Sequence, residues 1–465
     1  MRTQLDFYGY CSPTSGKYYL GDEEYFYGED FRSEKRYREY KNVGFNMLLL
    51  QHDAGYNGEE FETSACNLCM TEGYKAGLDR IIVSDDRLKE LCVTEKLIGE
   101  GCRFASEEEF LAYLDHCTAP YRDRPGYCGV QLFDEPHVRA LESYGKVCRG
   151  LRKLFPDIYL QCNLLNLVVP KWLWEGEPDN RKAYENYLNR FMDLAGLEYL
   201  MTDEYPFFRK YELSQYSIPL YQTIAGVCKK RKVELRMVFQ SFSQVHYVLN
   251  DKGEFEGGFS WRRVMEEDMY WQINLGMGFG CREYSFFTYL SKPRLSVKPN
   301  DIITDGVEGA AFLNKDGSRT RLYNFTKKII GQVKKFEAVL LKYEYEDSYF
   351  AFAEGKTAQD FNQVKMADVK DGCPIGVKIS RDIALITVQR APGSVLYMIE
   401  NVGNVKDYFQ NPEKMKAEIS LGEDAKNVKI YKKGTQVKRK LRGGTFVERL
   451  GCGEAVFVEV FGDRK

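Results

Sequence analysis

Two short acidic segments carry the sharpest chemical signal in the sequence. Residues 130–137 read VQLFDEPH, an apolar run ending in Asp134 and Glu135 before a proline; residues 200–208 read LMTDEYPFF and place Asp203, Glu204 and Tyr205 in the same way. Two carboxyl groups flanking an acetal oxygen can break it, one protonating the leaving oxygen and the other attacking the carbon or activating water. Glu135 is the first candidate for a catalytic or direct ligand role. Asp203 and Glu204 offer a second acid from the other segment. Asp134 also suits a helix cap, with Pro136 in the first turn. A strand running through Asp203 and Glu204 would turn them to opposite sides, so only one could face a shared site. For either acid the competing reading is an ion pair with Arg209 or Lys210.

Such acids act together only if the fold gathers them. Over the first two-thirds of the chain, β-branched or aromatic runs alternate with amphipathic segments, the rhythm of βα units. Eight strands are expected, at 4–10, 45–52, 80–84, 129–133, 158–163, 198–202, 234–240 and 282–289. Between them, Leu141, Tyr144, Val147, Cys148, Leu151 and Leu154 recur at helical spacing within 138–155. The pattern predicts an α/β fold, a (β/α)8 TIM barrel over 1–342, closed by a helix at 326–341. An all-β sandwich follows over 343–465, with alternating runs and the turn signals Pro392-Gly393 and Gly443-Gly444. An open doubly wound sheet is the alternative, but no GxGxxG turn follows an early strand.

Reactive groups of a βα barrel sit at the carboxyl ends of its strands. Those ends are polar here: His52 on strand two, Asp85 on three, Asp134, Glu135 and His137 on four, Asn163 on five, Asp203 to Tyr205 on six, Gln240 on seven. Strand eight carries Glu283 and Tyr284. Acids, amides and aromatic walls, among them Trp172 and Trp261, suit a neutral polyhydroxylated ligand. His52, Asp85, Asp134, His137, Asn163, Trp172, Tyr205, Gln240, Trp261 and Tyr284 are therefore the candidate substrate contacts.

Composition narrows the partners. The 465 residues are 44% hydrophobic and 29% charged, enough for a large core, while 66 Lys and Arg against 68 Asp and Glu leave a net charge of −2. That balance argues against nucleic acid as a partner. No apolar stretch reaches the length of a membrane span, and the first dozen residues lack a secretory signal. Thirteen scattered cysteines fit a reducing compartment, so a cytoplasmic protein is expected, with self-association left open. Cys66 and Cys69 form a lone CxxC without the second pair that zinc needs, and the four histidines lack HExxH spacing. No metal or other cofactor is expected.

The order FDEP on strand four, DxYP on strand six, an amide-ended strand seven and the segment 261–289 resembles bacterial glycoside hydrolase barrels related to clan A, of a family 42-like type. In that segment Glu266, Glu267, Trp271, Gln272, Tyr284 and Phe287 carry the likeness. The resemblance implies that Glu135 is the acid/base. Where such enzymes place their strand-seven nucleophile this chain has Gln240, which cannot serve, and Asp134 stands where an Asn is usual. Asp203, matching the DxYP aspartate, is then implied as the second carboxylate, ahead of Glu204 and Glu283. The alternative is a non-catalytic barrel that binds carbohydrate in the same cleft.

Overall fold

The computed structural model describes residues 3–20, 23–26, 29–168, 177–249, 255–290, 302–303, 311–314, 316–423, 425 and 427–462. Eight parallel strands organise the first part of the chain: β1 (Asp6–Gly9), β2 (Leu48–Leu50), β3 (Ile81–Ser84), β4 (Tyr127–Gln131), β5 (Tyr159–Gln161), β6 (Tyr199–Glu204), β7 (Glu234–Gln240) and β8 (Cys281–Phe287). They lie in two four-stranded sheets, ordered β2-β3-β4-β5 and β1-β8-β7-β6. Backbone bonds cross both seams: Asn46 N–H donates to Phe7 O at 2.9 Å, and Leu164 N–H donates to Met201 O at 3.0 Å. The sheets therefore curl into a TIM-barrel-like domain. Helices α1 (Glu34–Asn42), α2 (Ala65–Lys75), α3 (Asp86–Cys92), α4 (Glu107–Thr118), α5 (Leu141–Leu154), α6 (Asn180–Ala195), α7 (Ser217–Arg231), α8 (Glu266–Gly278) and α9 (Arg321–Leu340) accompany them.

Strand alternation decides which side chains reach the barrel interior. Leu48 and Ile81 face α2, because a Cβ on Gly73 would lie 2.6 Å from Leu48 Cδ2 and 3.7 Å from Ile81 Cδ1. Gln51 and Ser84, an odd number of steps further on, thus turn inward. Ser84 pairs with Gln131 and Gln131 with Gln161, which extends this inward row across β3, β4 and β5.

Most strands are shorter than the sequence pattern suggests. The run 45–52 yields a strand only over Leu48–Leu50, since the backbone turns into a single 3-10 turn at His52–Ala54. The helix expected at 138–155 begins as a 3-10 turn, Val138–Ala140, capped by the His137 ring, and continues as α5. The closing helix starts earlier, at Arg321.

The remainder is an antiparallel β domain. One sheet contains β9 (Glu344–Phe352), β11 (Ile383–Ala391), β12 (Ser394–Asn401), β14 (Asn427–Lys432), β15 (Thr435–Val437) and β17 (Ala455–Phe461); the other contains β10 (Gly376–Ile379), β13 (Met415–Ser420) and β16 (Thr445–Leu450). Ile386, Ile399 and Val458 of the first meet Ile419, Phe446 and Leu450 of the second in a buried apolar core. The opposite face of the larger sheet meets the barrel helices: Gln389 donates to Met277 O at 2.8 Å, and Gln222 to Ser348 Oγ at 3.1 Å.

Candidate active site

The site is built where β4 ends. Beyond Gln131 the chain leaves the sheet, and Glu135 adopts a left-handed conformation with φ +49°, which L-residues other than Asn, Asp and His seldom take. Its N–H donates to Asn163 O at 3.0 Å. Two helices hold the loop from behind, the Tyr144 hydroxyl donating to Phe133 O at 3.0 Å and the Tyr187 hydroxyl to Pro136 O at 2.8 Å. The unusual turn is thus braced on three sides, and it presents Glu135 at the open end of the barrel.

Asp203 arrives from the end of β6, near enough to Glu135 that each carboxyl acts on the other's proton. Burial and the adjacent Asp203 and Asp134 push the Glu135 carboxyl well above the ordinary range. Burial and Asp134 also raise Asp203, while the Tyr205 hydroxyl and Glu135 itself hold it down. When two carboxyls share a site in this way, one keeps a proton while the other ionises. Glu135 is the better proton holder and Asp203 the better anion.

Asp134 forms the third corner. Its Oδ1 accepts from the Tyr10 hydroxyl at 2.7 Å and from Asn163 Nδ2 at 3.0 Å, and Gln131 Nε2 donates to the Tyr10 oxygen at 3.0 Å. Burial raises the Asp134 carboxyl, against the pull of those two donors. One wall is aromatic. Tyr205 stacks on Phe287 with centroids 5.8 Å apart and meets Phe242 and Trp261 edge-on, and the Trp261 indole donates to Tyr205 O at 3.0 Å.

The structure gathers Asp134, Glu135, Asn163, Asp203, Tyr205 and Trp261 about one mouth. His52 lies exposed at the end of β2, its Nε2 3.6 Å from Cys11 Sγ, and His137 spends Nδ1 on the Arg139 N–H at 3.1 Å. Trp172 lies outside the described residues.

Other expected residues are placed elsewhere, each for a physical reason. Glu204 follows Asp203 and so faces outward, accepting from the Ser217 hydroxyl of α7; burial pushes it up to about 7. Glu283 is near the start of β8, at the opposite end of the barrel, where it accepts from the hydroxyls of Tyr8 (3.1 Å) and Tyr159 and lies 3.5 Å from Arg236. Asp85 caps α3 and binds Arg87 through both oxygens, with the Tyr121 hydroxyl at 2.9 Å. Gln240 accepts from Phe207 N–H at 3.0 Å and donates to the carbonyls of Arg262 (3.2 Å) and Phe242 (3.3 Å), knitting loops together. Tyr284 is sandwiched outside the sheet between Phe7 and Phe239. Tyr10, Gln131 and Phe287 were not foreseen at the mouth. Tyr10 ends the first expected strand, the position that singled out the other rim residues.

Among the described residues, no group of three or more His, Cys, Asp or Glu is arranged to hold a metal ion, and no helix is long and apolar enough to cross a membrane.

No protein-family model matches the chain. No curated protein is similar to it at a significant level. Solved structures share its fold. One described as a glycoside hydrolase is 10% identical, with 93% of this chain and 89% of that chain covered and a TM-score of 0.51. An Anoxybacillus α-amylase is 11% identical over 100% of both chains, with a TM-score of 0.54. An α-amylase from Geobacillus thermoleovorans complexed with acarbose is 11% identical over 100% of both, at 0.51. At these identities the likeness establishes a shared architecture.

Proposed function

We propose that the protein is a glycoside hydrolase, with Glu135 as general acid/base and Asp203 as the second carboxylate. The observation that carries this reading is the approach of the two carboxyls at the barrel mouth, Glu135 from the end of β4 and Asp203 from the end of β6, near enough that each acts on the other's proton. A glycosidic oxygen set beside Glu135 would receive its proton as the bond to the anomeric carbon breaks. Two carboxyls near enough to act on each other's protons fit the about 5 to 5.5 Å spacing of a retaining pair better than the about 6.5 to 9.5 Å of an inverting one. Asp203 then attacks the anomeric carbon directly, and water later displaces it with Glu135 acting as base. The anomeric configuration is retained.

The shared architecture of solved glycoside hydrolases supports the class. The clan A and family 42-like placement rests on the FDEP and DxYP motifs. The substrate is a small oligosaccharide or glycan fragment, lying against the aromatic wall of Tyr205, Trp261 and Phe287.

A panel of nitrophenyl glycosides tests the reading. Wild type should hydrolyse at least one of them, and Glu135→Gln should lose about 10² to 10⁴ in turnover. Asp203→Ala should regain activity with added azide, yielding a glycosyl azide. Equal turnover in wild type and Glu135→Gln contradicts the assignment. Sugar binding without hydrolysis of any glycoside would leave a carbohydrate-binding barrel.

A further inference from the structure

The overall charge of −2 hides a local asymmetry in the β domain. Strand alternation sorts its smaller sheet into two faces. Val377 and Ile379 of β10, Met415, Ala417 and Ile419 of β13, and Phe446 and Leu450 of β16 pack into the core between the sheets. The residues between them face away, and Lys378, Lys416, Glu418, Val447 and Arg449 are all exposed. After β15 the chain returns alongside β16: Arg442 and Thr445 exchange both backbone bonds, at 2.9 and 3.0 Å, and Arg439 reaches Glu448. Val437 and Leu441 of this segment pack on the same core. Lys438, Lys440 and Arg442, exposed between them, therefore join the outer face.

Six cations thus share this face with a single acid, Glu418, which stands opposite Lys378. The neighbouring acids are spent elsewhere. Glu448, turned inward, takes Arg439 and Lys432, and Glu454 takes Lys414 and Lys433. Among the described residues, none of the six cations forms an ion pair. Lysine can guard a sheet edge against unwanted pairing, but Lys416 and Arg449 stand directly opposite each other on inner strands, where like charges cost stability. The sheet itself gains nothing from that arrangement.

We propose that this face binds an anionic polysaccharide, a glycan polymer bearing carboxylate or sulfate groups, at a surface separate from the barrel mouth and independent of the chemistry there. Uncompensated cations gathered on one surface attract a polyanion, and the rest of the face selects among polyanions. No aromatic ring stands on it, so it lacks the platform on which the bases of a single strand stack. It is a sheet surface, not a helix or ribbon that enters the major groove of a duplex. Val447, 41% exposed, is its one apolar side chain, too little to anchor in a bilayer. The Thr445 and Ser420 hydroxyls, 3.2 Å apart beside Arg442, add groups that can bond sugar hydroxyls between the charged ones.

Binding measurements on the full chain test this, with Glu135→Gln in every sample so that no polymer is cut. The probes are alginate, polygalacturonate and chondroitin sulfate, set against neutral dextran, single-stranded and duplex DNA, and phosphatidylglycerol vesicles. At least one anionic polysaccharide should bind more tightly than dextran, either DNA and the vesicles, with an affinity that falls as salt is added. Lys440→Glu with Arg449→Glu should weaken that binding about tenfold or more, and Lys440→Gln with Arg449→Gln should weaken it less. The same charge change on the barrel, Lys96→Glu with Lys153→Glu, should leave it unaltered. All these positions are exposed, and melting profiles matching the parent's show that the variants are folded. Failure of every anionic polysaccharide to bind would overturn the inference. So would tighter binding of DNA or vesicles, an affinity that survives both variants of the face, or an equal loss in the barrel control.

Discussion

Asp203 and Glu204 are consecutive on β6 yet serve opposite faces of the barrel wall: Asp203 meets Glu135 at the mouth, and Glu204 turns outward to the Ser217 hydroxyl. The half-turn of the strand between them separates chemistry from architecture. Asp203→Asn is therefore expected to lower kcat/KM by about 10² or more, while Glu204→Gln retains wild-type turnover per folded molecule. Glycoside kinetics on the two variants, normalised to folded protein, check the assignment. Loss of activity in Glu204→Gln alone would reverse it.

Glu204 should instead announce itself in stability. Burial raises its folded-state value from 4.5 to about 7, so the folded protein holds this proton more tightly than the unfolded chain does. The contribution favours folding fully below about pH 4.5, is lost as pH rises toward 7, and is constant above. The difference amounts to about 3 kcal/mol. Glu204→Gln, which keeps an acceptor for Ser217, should be more stable than wild type at pH 8 and gain little at pH 4.5. Urea unfolding at the two pH values checks this, and an equal effect at both would count against it.

Some of the site was legible in the chain and some was not, for reasons of strand geometry. The runs VQLFDEPH and LMTDEYPFF mark strand ends because apolar alternation stops abruptly at paired acids. Period-two alternation also anticipates that only one of Asp203 and Glu204 can face the mouth. Glu283 misled because an acid in a strand looks alike at either end; its place two residues after Cys281, at the start of β8, is what sends it to the far end. Asp85 and Gln240 do lie at strand ends, but their side chains are consumed by Arg87 and Tyr121, and by loop backbone, partners that no local pattern reveals. The network through Tyr10 joins positions distant along the chain and becomes visible only when β1 closes against β2.

Glu283 makes a second architectural prediction. Arg236 is buried, stacked 3.5 Å from the Tyr199 ring centre, and Glu283 lies 3.5 Å from it with Glu234 at 3.3 Å. Glu283→Gln leaves that cation short of counter-charge in a dry interior and should destabilise the protein by about 3 to 5 kcal/mol. Turnover of the folded fraction should be unaffected. Unchanged stability with lost turnover would return Glu283 to the list of reacting groups.

Asp134 raises both Glu135 and Asp203 by like charge. The pH-rate profile should therefore be bell-shaped and lie above the range of an unshifted carboxyl pair, activity falling at low pH as Asp203 is protonated and at high pH as Glu135 loses its proton. Asp134→Asn should move both limbs to lower pH. A profile that stays in place would show that the third acid does not act on the pair.

The coupling of Glu135 to Asp203 can be read without knowing the sugar. In protein labelled with ¹³C at the Glu side-chain carboxyls, one signal absent from Glu135→Gln should titrate well above the ordinary carboxylate range. In Asp203→Asn it should move down while remaining elevated, since desolvation at the mouth and the like charge of Asp134 both persist. A Glu135 signal that titrates near 4.5, unmoved by Asp203→Asn, would contradict the shared site on which the proposed chemistry depends.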